Sequence, residues 1–306
     1  GDLSALSVRD LRAVVALADR LHFGRAAEDL AVAQPSLSAA IKKVEAACGE
    51  RLFERSSRQV TITPAGQLIV HRIRLALEEI ERIGQSHQRV GRLSGRFRLG
   101  LLPTIGPYYA PRFLAALRRG YPQLELMLTE ALTDALIQML RQRTLDAAIV
   151  CLPTGERGLT ETPLLREPFL LAVPVDHPLA RHSEVSQGQI EPREVLLMER
   201  GHCLREQALE TCGATPDTPL SPVQAASIET LRHLVAAGNG CAVIPQMAVS
   251  AGTDCQGLVQ YVPFHYPAPS RTIGLIVHDR CTRMEDAIEL SSFLARLPEP
   301  ENHGPR

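Results

Sequence analysis

No stretch of the chain approaches the roughly 18 consecutive apolar residues of a membrane-spanning helix, and Arg12 and Asp19 interrupt the nearest candidate. Neither an anchor nor a signal peptide is expected, which gives a cytoplasmic address and no membrane partner. Also missing are a C-x-x-C pair, a Cys/His cluster at zinc spacing, an internal repeat and any low-complexity run. These absences argue against a metal site and a thioredoxin-type centre, and no cofactor is expected. The seven cysteines are odd in number and argue against a disulfide framework. Cys48, Cys151, Cys241 and Cys281, each beside apolar or helical residues, read as reduced, buried small hydrophobes. Charge of one sign is lacking too, since 33 Lys and Arg face 34 Asp and Glu. The distribution is nevertheless uneven: residues 1–95 carry 14 cations against 11 acids, a modest basic excess where a nucleic-acid partner would want it.

What is present is an apolar content of 45% over 306 residues, enough for two or three folding units. Ser7 and Asp10 have capping-box spacing, and Leu11, Val14, Val15 and Ala18 then recur with helical period, predicting a helix to about Arg20. A second short helix runs from Gly24 through Leu30. A third opens at Pro35, with Leu37, Ile41 and Val44 on one face. Leu52 and Phe53, a polar basic stretch from Arg55 to Gln59, and the alternation of Val60 and Ile62 with threonines read as a two-stranded wing. Thr63 and Pro64 then start a helix predicted to reach about Leu93, with Ile69, Ile73, Ala76, Ile80, Ile83 and Val90 forming a heptad seam. So long a lone apolar stripe is best buried by a second copy of itself, and a homodimer is favoured over packing onto the same chain's C-terminal region.

Beyond Gly95 apolar strands alternate with helical segments. Strands are expected at Phe97–Leu102, Leu124–Leu128, Ala147–Cys151, Phe169–Val175, Val195–Met198, Cys241–Ile244 and Thr272–Val277, with helices near Arg112–Arg118 and Ala135–Arg141. That order predicts a parallel sheet in an α/β region of two lobes with a ligand cleft between them. The expected architecture is an all-α winged helix-turn-helix at 1–63, a linker helix at 64–94, a two-lobed α/β domain at 95–298 and a tail at 299–306.

On the third helix, Ser36, Ser38, Lys42 and Lys43 lie away from the apolar face, and Gln34 and Pro35 sit where the helix would enter a groove. In the wing, Arg55 and Arg58 flank two small serines, so their side chains can reach phosphates or the minor groove. Any one of these is an ordinary surface group. The ordered combination of helices, basic wing and long helix carries the signal. The segments His22-Phe23-Gly24-Arg25-Ala26-Ala27, Gln34-Pro35-Ser36-Leu37-Ser38 and Leu52-Phe53-Glu54-Arg55 resemble the DNA-binding region of LysR-type regulators. The resemblance extends to about Pro298 and implies a winged helix-turn-helix and a dimerising linker helix. It also implies a two-lobed, periplasmic-binding-protein-like effector domain, tetrameric assembly, double-stranded promoter DNA and RNA polymerase as partners, and no enzymatic turnover.

The segment Gly201 to Cys212 holds the most informative chemistry. Cys203 opens a helical stretch beside His202 and Arg205, and a helix N-terminus and nearby cations both favour the thiolate. Cys212 lies nine positions on, about 13.5 Å along an intact helix. A disulfide between the two requires the helix to unwind, whereas spacing alone leaves two unrelated thiols equally open. His202-Cys203-Leu204-Arg205 with Cys212, Leu102-Pro103-Thr104-Ile105-Gly106 and Arg271-Thr272-Ile273-Gly274 resemble the hydrogen-peroxide sensors of the LysR type. The resemblance implies that Cys203 is peroxidatic and Cys212 resolving, that Pro103, Thr104, Thr133, His202, Arg205 and Arg271 surround the peroxide, and that Cys212→Ser stops at a sulfenic acid. Three readings compete: a family member that binds a metabolite in the cleft, a thiol peroxidase bearing a DNA-binding domain, and a purely architectural DNA-binding dimer. Cys255, in a polar loop, is a candidate secondary oxidation site.

Overall fold

The computed structural model describes residues 4–55, 60–85, 93–214, 221–249 and 253–298. The chain divides into two units, residues 1–91 and 92–306.

The first unit is helical. α1 (Val8–Arg20) starts at Ser7, whose side chain and that of Asp10 complete the capping box reciprocally. Val14 and Leu17 are fully buried on its inner face, each burial contributing about 1.5–3 kcal/mol. α2 (Phe23–Asp29) buries Ala26 and Ala27, whose small side chains let the helices approach closely, and α3 (Gln34–Cys48) buries Leu37, Ile41 and Val44. Strands β1 (Phe53–Arg55) and β2 (Val60–Ile62) pair antiparallel as the wing. The Glu45 carboxylate accepts the N–H groups of Leu52 and Phe53 at 2.9 and 3.2 Å, fixing the wing to α3.

α4 (Pro64–Gln85) follows. Its continuation over 86–92 lies outside the described residues, and Leu93 is not helical. Val70, Ile73 and Leu77 belong to this unit's own core, with Ile69 packed against it. The first two residues of the heptad seam, Ile69 and Ile73, are therefore covered within the unit, because the first turns of α4 must close the helix-turn-helix beneath them. Ile80 is 36% exposed, and the side chains of Ile83 and Val90 lie outside the described residues.

The second unit opens with β3 (Gly95–Leu101), α5 (Gly106–Gly120), β4 (Leu124–Glu130), α6 (Thr133–Arg141) and β5 (Ala147–Leu152). β3 lies parallel to both β4 and β5. β6 (Leu159–Pro174) then crosses from one lobe to the other. Its first part pairs with β11 (Ser270–His278), and its last residues pair with β9 (Ala242–Pro245) and β10 (Val259–Pro263). All of these pairings, and that of β11 with β5, run antiparallel. The expected parallel sheet is thus mixed: single long strands carry the chain between the lobes, and only helical crossovers would have kept it parallel.

The second lobe adds β7 (Leu197–Met198), α7 (Cys203–Thr211), β8 (Gln224–Ala225) and α8 (Ile228–Ala236), with β7 parallel to β8. α9 (Met284–Ala295) returns to the first lobe, burying Ala287, Leu290 and Leu294. Two separate cores result, one around Phe97, Phe113, Ile149 and Leu275, the other around Leu171, Leu204, Ile228 and Val243. The strand reading at Phe169–Val175 caught only the end of β6. Residues 159–168, broken by Pro163 and Pro168 and carrying Glu161 and Glu167, have no strand periodicity.

Candidate functional site

Arg271, second residue of β11, stands opposite Glu167 of β6 in the antiparallel register. Its Nε donates to Glu167 Oε2 at 2.7 Å, one terminal nitrogen donates to Thr104 Oγ1 at 3.2 Å, and the other donates to the Thr104 carbonyl at 2.8 Å. Both charged side chains are only 1% exposed. Glu167 Oε1 accepts the Met247 N–H at 2.7 Å, so both carboxylate oxygens are occupied. A buried pair tied this fully is held by geometry, and losing either partner would strand a charge. The two chain positions the sequence associated loosely, Thr104 and Arg271, are in contact, and Arg271 is a buried cation.

The same guanidinium approaches Cys151 Sγ at 4.0 Å. Cys151 lies near the end of β5, and Cys203 Sγ, on the first residue of α7, donates to Cys151 Sγ at 3.2 Å. Read from its neighbours in the chain, Cys151 is only a buried small hydrophobe. At the end of an apolar strand, a thiol in a site and a thiol in the core look alike. The hydrogen bond couples the titration of the two thiols. The hydrogen bond from Cys203, then the Arg271 guanidinium, hold Cys151 below the usual thiol range. That same bond and burial push Cys203 up, against the pull of Arg271 and the Thr104 hydroxyl. Burial and the contact with Cys151 thus work against the thiolate expected at Cys203, while Arg271 and the Thr104 hydroxyl work for it. Gln207, one turn along α7, also hydrogen-bonds Cys151, and its Oε1 is buried without a partner among the described residues.

The expected cationic neighbours are arranged differently. Arg205 sends its guanidinium to the Met198 carbonyl at 2.8 Å, fastening the start of α7 to β7. His202 is the N-cap residue of α7, and burial lowers its pKa, which disfavours the imidazolium. Arg271 is the cation acting on the thiols. Thr133 opens α6 and is half-buried, as is Pro103 after β3. Gly201, with φ of +95°, leaves only 3.0 Å between a Cβ at that position and Leu132 Cδ1, so the start of α6 abuts the turn into Cys203. Cys212 caps the far end of α7, 4% exposed in the second lobe's core, where burial pushes its thiol up to about 12. Cys203 and Cys212 are both free thiols at opposite ends of an unbroken helix.

In the first unit, Gln34, Pro35, Ser36 and Lys42 are exposed on α3, while Ser38 is half-buried. Lys43 is drawn back to Asp10 at 2.8 Å. The Arg55 side chain and all of Arg58 lie outside the described residues. No helix among the described residues is long and apolar enough to cross a membrane.

Two family models match: the bacterial regulatory helix-turn-helix of the lysR family over residues 8–67, and the LysR substrate binding domain over residues 91–297. The chain is 41% identical over 275 residues to the Escherichia coli K12 "DNA-binding transcriptional dual regulator OxyR", covering 89% of each chain. It superposes on full-length OxyR from Pseudomonas aeruginosa with a TM-score of 0.76 at 34% identity, covering 96% of this chain and 99% of that one. A hydrogen-peroxide-bound mutant of Corynebacterium glutamicum OxyR matches with a TM-score of 0.67 at 31% identity, covering 95% and 92%.

Proposed function

The chain belongs to the LysR family of bacterial helix-turn-helix regulators, and from that membership we propose that it controls transcription in response to hydrogen peroxide, with Cys203 as the sensing thiol. The observation that carries this reading is the buried arrangement of Cys203 with Cys151, Thr104 and Arg271, since a nucleophilic sulfur, a hydroxyl and a fixed cation are what peroxide cleavage requires. The relatives named for hydrogen peroxide or for OxyR support it.

In the first step the Cys203 sulfur takes one peroxide oxygen and becomes a sulfenic acid, and the second oxygen leaves as hydroxide, stabilised by Arg271. Thr104, Thr133, Pro103 and His202 shape the pocket, and Arg205 holds the helix start in place. Cys212 resolves the sulfenic acid to a disulfide after α7 opens, and this refolding alters the effector-domain contact between copies. Gln34, Pro35, Ser36, Ser38, Lys42, Arg55 and Arg58 bind promoter DNA, and the outer part of α4 around Ile80 and Ile83 pairs the copies into a dimer and then a tetramer that meets RNA polymerase in the cytoplasm. The protein works as a regulator without catalytic turnover and without a cofactor.

Trypsin places Cys203 on Gly201–Arg205, Cys212 on Glu206–Arg232 and Cys151 on Thr144–Arg157, three separate peptides. Brief treatment of the reduced protein with peroxide and dimedone is expected to tag Gly201–Arg205. Tagging confined to other cysteines would overturn the reading.

A further inference from the structure

We propose that Cys151 is a second resolving thiol, which closes a Cys151–Cys203 disulfide while α7 remains intact. The inference rests on the peroxide reading above and extends it to a residue that reading does not need. Its basis is distance. The two sulfurs are 3.2 Å apart, and a disulfide bond is about 2.05 Å, so closure takes about 1.2 Å of movement, within reach of side-chain rotation. Cys212 is instead separated from Cys203 by the whole of α7, about 13.5 Å of helical rise, and is buried in the opposite core. Any sulfenic acid formed at Cys203 meets Cys151 before it can meet Cys212.

The chemistry balances without another reactant. Cys203 passes its proton across the sulfur–sulfur hydrogen bond to Cys151 as its own sulfur attacks peroxide. The O–O bond breaks, Cys203 becomes S–OH, and the departing hydroxide takes the proton from Cys151 to leave as water. The Cys151 thiolate then attacks the Cys203 sulfur, the S–O bond breaks, and the second hydroxide takes a proton from solvent. The two thiols have lost two electrons and peroxide has become two waters. Cys151 serves first as the base and then as the nucleophile, and Arg271 and Gln207 hold its charge in place between the two steps.

The product differs in consequence from the Cys203–Cys212 disulfide. It joins β5 to the first residue of α7 and leaves the helix folded, so it stores the oxidation and shields Cys203 from further oxidation without switching the effector domain. Cys212 then completes the response by thiol–disulfide exchange when α7 opens. The sequence-based expectation that Cys212→Ser stops at a sulfenic acid is replaced by a Cys151–Cys203 disulfide.

The test uses full-length Cys212→Ser protein, which leaves the buried strand untouched. After peroxide, rapid alkylation and non-reducing digestion, Thr144–Arg157 linked to Gly201–Arg205 is expected, and dimedone added at successive times after peroxide tags progressively less Cys203 as the link forms. In the Cys151→Ser, Cys212→Ser double variant the link is lost and the adduct accumulates. In unsubstituted protein the same link precedes the Cys203–Cys212 one in a time course. A persistent Cys203 adduct in Cys212→Ser without the linked peptides overturns this inference and leaves peroxide sensing intact. An unmodified Cys203 throughout overturns both.

Discussion

Glu167 and Arg271 face each other across β6 and β11, ion-paired at 2.7 Å with both side chains only 1% exposed. The pair fixes the cation beside the thiols and also joins the strands that cross between the lobes. Arg271→Ala leaves Glu167 as an uncompensated buried charge, and is expected to cost about 3–5 kcal/mol of stability. Glu167→Gln keeps the Met247 contact in reach but strands the buried Arg271 cation, and is expected to be destabilising as well. Urea midpoints of the variants against the parent read both, and a loss for Arg271→Ala comparable to that of an exposed arginine would contradict the clamp.

The thiol pair should titrate in two steps. A pKa lowered at Cys151 means that a thiolate is present below the ordinary thiol value of about 8.5 and is lost only as pH falls through the lowered value. The second proton leaves above the ordinary range, because Cys203 is pushed up. Ultraviolet thiolate absorbance against pH should show this, and Cys203→Ala should move the first step upward by removing its largest cause. An unchanged first step in that variant would place the charge elsewhere.

Cys212 should resist labelling. It is buried at the end of α7 and its thiol is pushed up to about 12, so the reactive anion is scarce at neutral pH. Iodoacetamide is expected to modify half-buried Cys255 well before Cys212 in the reduced native protein, and both equally in urea. Equal native rates would mean that α7 is open at rest.

The two ends of the seam on α4 should behave differently. Ile73 lies in the helix-turn-helix core and Ile80 is partly exposed. Ile73→Asp is expected to unfold the first unit by burying a charge, whereas Ile80→Asp leaves it folded and weakens self-association. Circular dichroism and sedimentation separate the outcomes, and an intact dimer with Ile80→Asp would put the contact between copies on another surface.

Much of this was legible in the residues. The apolar face of Leu37, Ile41 and Val44 and the Ser7–Asp10 cap follow from local spacing, and the structure has both. The strand-rich second unit was legible as alternating apolar segments. Its mixed sheet was not, because β6 changes partners midway and its first half must accommodate prolines and the buried Glu167, which erase the periodicity. Thr104, Cys203 and Arg271 could be singled out by motif, but their meeting point depends on strand register. Cys151 and Glu167 were invisible for the same reason: a thiol in an apolar strand and an acid among prolines acquire a role only through what stands opposite them.

The most direct measurement of the central claim is the promoter-DNA footprint of the parent and of Cys203→Ser, each with and without peroxide. The parent footprint should change on oxidation, and the Cys203→Ser footprint should be the same under both conditions and match the reduced parent. A Cys203→Ser footprint that shifts with peroxide as the parent's does would contradict sensing through Cys203.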